Sequence, residues 1–147
     1  MRSLKFSKRL IVSVLVTCFV LLIIYDLFPT QRFYEKNFKE NTQITMPISK
    51  EPILLLGNNS IFNLGDYNIT YTYKFSVQDF QSLRSQMTEN GFIISDSYLE
   101  TDENEKALQL SKPLEIEIIL TRDFGFKNYD ALFMNDKQTI IFNSNKW

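Results

Sequence analysis

Residues 10–28, LIVSVLVTCFVLLIIYDLF, hold a single charged side chain, Asp26, close to their end. As a helix rising 1.5 Å per residue, the run is roughly 28 Å long, close to the hydrocarbon thickness of a bilayer. A transmembrane helix over 10–28 is the expectation that constrains everything else. A secretory signal has a shorter apolar core followed by a small-x-small cleavage site. This run instead ends in Tyr25, Asp26, Leu27, Phe28 and Pro29, so an uncleaved signal anchor is predicted. Leu15, Val16, Thr17 and Cys18 approach a lipidation motif, but Thr17 departs from it and residues 19–25 stay apolar where a lipidated cysteine would open a polar tether. Cys18 therefore reads as a small apolar helix residue.

Charge sets the direction. Arg2, Lys5, Lys8 and Arg9 precede the run with no acidic residue among them, so residues 1–9 form a basic tail that the positive-inside rule keeps in the cytoplasm. Arg32, Lys36 and Lys39 follow it, interleaved with Glu35 and Glu40, and do not reverse the asymmetry. Tyr25, Phe28, Phe33 and Tyr34 suit an aromatic belt at the outer interface.

The remaining length, about 120 residues, suffices for one domain with a core and is short for two. Setting aside the four basic residues of the tail leaves 12 of the 16 Lys and Arg against 17 Asp and Glu, a net charge of −5. Such a surface argues against nucleic acid and anionic lipid as partners. The chain has no histidine and one cysteine, inside the apolar run. The domain is thus expected to lack disulfides, thiol nucleophiles, His general bases and Cys/His metal sites, and no cofactor is implied.

Residues 29–50 read as a stalk or linker in which Phe33, Tyr34, Asn37 and Phe38 recur at near-helical spacing. Residues 51–147 read as an extracytoplasmic α+β domain. Pro52 to Leu56 form a short buried strand, ended by a turn at Gly57, Asn58, Asn59 and Ser60, with a second turn at Gly65 and Asp66. In NITYTYKFS, Ile69, Tyr71, Tyr73 and Phe75 alternate with polar residues, predicting one core face and one wet face. Ser76 with Asp79 three residues on opens a helix whose stripe is Phe80, Leu83 and Met87, closed at Gly91. A strand over 92–98, an acidic turn ETDENE over 100–105, and a short helix over 106–111 come next. Leu114, Ile116, Ile118 and Leu120 predict a half-buried strand with Ile119 on its wet side. A hairpin over 129–134 and 138–142 turns through Asn135, Asp136 and Lys137. The sum is an antiparallel-rich sheet of about 4–6 strands covered by one main helix.

No catalytic set stands out. Glu115 and Glu117, on one strand face roughly 6.5 to 7 Å apart by strand rise, are the nearest approach to an acid/base pair. The acidic turn lacks the residue order of a Ca²⁺ loop and reads as solvated. Tyr71 and Tyr73 read as core and not as a stacking surface. The composition instead predicts a single-pass protein-binding module in the inner (plasma) membrane, its N-terminus cytoplasmic and its domain periplasmic or extracellular. Its partners would be the lipid bilayer, through residues 10–28, and a basic protein met by Glu100, Asp102, Glu103, Glu105, Glu115 and Glu117. An immunity protein and an accessory subunit of an envelope complex are the two concrete forms. The runner-up is an envelope-polymer hydrolase using Glu115 and Glu117.

Overall fold

The computed structural model describes residues 8–27, 30–57 and 67–146, and the side chains of residues 10–24 within the first helix. Ten elements follow in the order α1 Lys8–Leu27, α2 Gln31–Thr42, β1 Glu51–Gly57, β2 Tyr67–Lys74, α3 Val77–Glu89, β3 Ile93–Ser95, α4 Asp102–Leu110, β4 Ile116–Asp123, β5 Lys127–Met134 and β6 Thr139–Lys146. The six strands form one sheet in the order β1-β2-β6-β5-β4-β3, antiparallel at every pairing. The α+β class is therefore as expected, and the described residues form four helices.

Both faces of the sheet are covered. On the first, Tyr34 and Phe38 of α2 and Phe80, Leu83 and Met87 of α3 pack on Ile69, Tyr71, Tyr73, Leu120, Tyr129, Phe133 and Phe142. On the second, Ala107 and Leu108 of α4 pack with Leu54, Ile119, Leu132, Met134 and Ile141. The single covering helix of the sequence reading is thus corrected to helices on two sides. β5 and β6 lie in the middle of the sheet and are the most buried strands, so their runs YDALFM and TIIFNSN show almost no exposed position.

Local sequence explains the helix ends. The Ser76 side chain accepts a hydrogen bond from the Asp79 amide at 3.1 Å and donates one to the Asp79 carboxylate at 2.9 Å, capping α3 as expected. At its other end Phe92 N–H donates to Met87 O and Gly91 N–H to Thr88 O, with Gly91 at φ +86°, the paired bonds of a Schellman motif. Phe92 then packs in the same core cluster as Met87.

Several expectations need correction. α2 is no stalk: Phe38 is 0% exposed, and its ring meets Phe142 edge-on at 5.1 Å. β1 is a half-exposed edge strand in which Pro52 and Ile53 face out, and a register shift between Pro52 and Leu54 relieves the ladder where proline lacks a donor. The 92–98 strand shrinks to three residues, because the Ser97 amide bonds back to Ser95 Oγ at 3.1 Å and bends the chain away. β4 carries a register shift between Ile116 and Ile118. That bulge moves Ile116 onto the α4 side, together with Leu114, while Ile118 and Leu120 face α2 and α3. Ile119, expected on a wet face, is 8% exposed beneath α4. Thr70 and Thr72, also expected wet, are buried under the same helix.

Among the described residues no helix is long and apolar enough to cross a membrane. α1 runs twenty residues. Its described side chains, residues 10–24, cover only about 22 Å along the axis, against roughly 30 Å of hydrocarbon. The spanning helix over 10–28 is accordingly not supported as read. The turns expected at Asn58 to Ser60 and at Gly65 and Asp66 lie outside the described residues.

Candidate functional site

The six acidic residues singled out from sequence do not form one patch. Asp102, Glu103 and Glu105 fall in the first turn of α4, which starts four residues earlier than expected because the Thr101 side chain accepts from the Asn104 amide at 3.2 Å. Carboxylates there oppose the positive end of the helix dipole, which gives them a structural role. Glu103 also accepts a hydrogen bond from Asn68 Nδ2 of β2. Glu100 is exposed just before this turn. Glu115 lies beyond the far end of the nine-residue α4, and its amide donates to Asn135 Oδ1 at 3.2 Å. Glu117, at the β4 bulge, is held by Arg84 of α3 at 3.7 Å and by Lys137 of the β5–β6 turn. The structure brings Glu100, Asp102, Glu103 and Glu105 together and separates them from Glu115 and Glu117.

A different group of residues stands out on the α4 side of the sheet. There the apolar cluster around Leu132 and Ile141 occupies only one half of the face. The other half is polar. Cross-strand register places Thr70, Asn143, Asp130 and Thr121 side by side on β2, β6, β5 and β4, and Asn68, Asn145 and Asn128 in the neighbouring row. At about 4.8 Å between strands, this is a platform roughly 14 Å wide. Thr70, Asn143 and Asp130 are each 0% exposed. Thr70 Oγ1 meets Asn104 Oδ1 of α4 at 3.1 Å and Asn143 Oδ1 at 3.2 Å. Asn104 Nδ2 donates to Leu99 O at 2.6 Å, so α4 and the segment before it are fastened to the platform.

Asp130 is the centre of this arrangement. Its Oδ1 accepts from Thr121 Oγ1 at 2.6 Å and from Asn128 Nδ2 at 3.0 Å, and its Oδ2 from the Leu99 amide at 3.2 Å. Burial pushes its carboxyl above the ordinary range, and the bonds from Thr121, Leu99 and Asn128 pull against that rise without cancelling it. An open cleft of about 390 Å³ lies above it, walled by Ser95, Ser97, Tyr98 and Leu99 and floored by Thr121, Asp123, Asn128 and Asp130. Three buried groups of the platform, Asn68 Oδ1, Asn143 Nδ2 and Asn145 Nδ2, have no hydrogen-bond partner among the described residues. Each such group costs roughly 1–3 kcal/mol, and a face that served folding alone would be better filled with valine and isoleucine.

Sequence reasoning missed this site. Its signal was the polar alternation Asn128, Asp130 on one strand and Asn143, Asn145 on the next, in segments otherwise apolar enough to be central.

The second polar cluster is in the main core. Tyr71 Oη and Tyr129 Oη share a hydrogen bond of 2.6 Å, and Tyr71 Oη donates to Asn37 Oδ1 at 3.3 Å. Burial raises both phenols well above their usual pKa. With both tyrosines 0% exposed and Asn37 buried, this triad ties α2 to the sheet. Among the described residues no three of His, Cys, Asp and Glu converge in a way that could hold a metal ion. No family model, no curated protein and no solved structure matches the chain.

Proposed function

We propose that this protein is a membrane-anchored binding module whose α+β domain is displayed outside the cytoplasm. The observation that carries the reading is the surface of α1. Eleven large apolar side chains from Leu10 to Ile24 are each 46–63% exposed, and none belongs to either core cluster. A continuous apolar surface of that kind is not left to water, and a bilayer is the cover that matches a helix apolar all round. The four basic residues before it support a cytoplasmic N-terminus. Extended by Leu27 and Phe28, the apolar run reaches bilayer length.

A basic protein partner would meet Glu100, Asp102, Glu103 and Glu105, whose clustering at the start of α4 favours electrostatic steering. An immunity protein or an envelope accessory subunit fits that description. Hydrolysis through Glu115 and Glu117 has less behind it, because Glu117 is occupied by Arg84 and Lys137 and the described cleft at Asp130 is floored by other residues. The test is fractionation. The protein should resist alkaline carbonate extraction from the membrane, and protease added from outside should remove the domain while sparing an N-terminal tag. Recovery in the soluble fraction, or digestion of the tag in intact cells, would overturn the reading.

A further inference from the structure

We infer that the cleft over Asp130 is a binding site for a polyhydroxylated ligand, a sugar unit of a glycan. The inference does not depend on α1 entering a membrane.

Counting the hydrogen-bonding capacity left over at the cleft floor selects the ligand class. Asn128 uses one amide hydrogen on Asp130 and one oxygen lone pair on Thr121 Oγ1, the latter at 3.2 Å, so one N–H and one lone pair remain. Thr121 commits its single proton to Asp130 and Asn128 and keeps its lone pairs. Asp130, itself 0% exposed, holds Thr121 and Asn128 in place from beneath the floor. The floor thus offers one donor among several acceptors at close quarters.

Each simpler ligand fails against that pattern. An apolar molecule would leave all of these groups unpaired. An anion would meet the negative charges of Asp130 and Asp123. A cation can only donate. It would confront the Asn128 N–H, while Asp130 is already surrounded by three donors and Asp123 Oδ1 accepts from Gly125 N–H at 2.7 Å. Hydroxyl groups both donate and accept, and neighbouring hydroxyls on a ring can satisfy a mixed row of this kind. Tyr98, half-buried in the wall, adds the flat apolar surface against which the C–H face of a sugar ring packs.

The unpartnered amides of Asn143 and Asn145 stand directly opposite Asp130 and Asn128 across the β5–β6 ladder. They extend the same hydrogen-bonding surface beneath α4. A buried carboxylate with raised pKa beside a cleft is also a common mark of a functional site.

The experiment uses the full chain in a detergent without a sugar headgroup and follows backbone amide resonances by NMR. The probes are glucose, N-acetylglucosamine and its β-1,4-linked trimer, with lysine amide and inorganic phosphate as the contrasting charges. Saturable shifts confined to residues 95–99 and 121–130 with at least one saccharide are expected. Asn128→Ser, which removes the free amide donor, should weaken that binding roughly tenfold. Tyr98→Ala should do likewise and Tyr98→Leu less so, while Glu117→Gln should leave it unchanged. Any variant is scored only if its remaining resonances match the parent. The inference is overturned if no saccharide shifts these residues, if lysine amide or phosphate binds there instead, or if both Asn128→Ser and Tyr98→Ala bind as the parent does.

Discussion

Asp130 shows how one residue can oppose the fold that holds it. Its carboxyl is 0% exposed and three donors surround it, yet burial still lifts its pKa above the unfolded value of 3.8. An acid raised in this way binds its proton more tightly when folded, so its protonated form favours the native state. Stability therefore falls as pH rises from about 4 through the raised native pKa, and levels off above it. Asparagine at this position does not titrate. Urea midpoints of the wild type and Asp130→Asn, compared from pH 4 to pH 7, should show the difference moving against the wild type as pH rises. A pH-independent difference would mean that the carboxylate is as well solvated in the fold as outside it. Glu117 presents the opposite case, a carboxylate between two cations at the surface. Glu117→Lys would set three positive charges together and should lower stability by about 1 kcal/mol, the scale of exposed ion pairs, with the loss reduced in high salt.

At the scale of elements, the strand faces that were legible are those packed by large apolar residues. Ile69, Tyr71, Tyr73 and Phe75 alternate in sequence and lie in the main core. The second face was not legible, because Thr70, Thr72, Asn128 and Asn143 look like solvent-facing residues to any local pattern. What buries Thr70 is α4, an element near in space and more than thirty residues away in the chain, while Asn128 stays half-exposed at the cleft floor. The β4 bulge was hidden for a related reason: Ile116, Ile118 and Leu120 keep a period of two in sequence while the backbone shifts by one at Glu117. α2 reads as a stalk in sequence because it is short and strongly polar outside its stripe of Tyr34 and Phe38. Its membership in the core makes two predictions. Phe38→Ala should cost roughly 3–5 kcal/mol in chemical denaturation, as for other fully buried aromatics. A fragment beginning at residue 45 should be far less stable than one beginning at residue 30, since it uncovers Tyr71 and Phe142. Equal denaturation midpoints for the two fragments would return α2 to the role of a linker.

For the whole molecule the question is whether α1 and the domain are energetically separate. All described side chains of α1 but Ile23 are exposed, and neither core cluster includes any of them, so the domain's stability should not depend on them. The domain also has no cysteine, so it requires no oxidising compartment to fold. Insertion and folding can then be uncoupled by charge. Near the centre of a spanning helix an arginine costs roughly 2.5–3.5 kcal/mol in insertion, so Val16→Arg with Phe19→Arg should oppose insertion by about 6 kcal/mol. The double variant should move from the membrane fraction to the soluble fraction, with an unchanged melting temperature for the domain in detergent. An anchor lying elsewhere would leave the variant in the membrane. A helix that packs against the domain would lower the melting temperature, because two charges would then be forced against apolar surface. Fractionation and melting thus read two different properties of one variant, and only the combination of release with an intact domain is what an independent bilayer anchor produces.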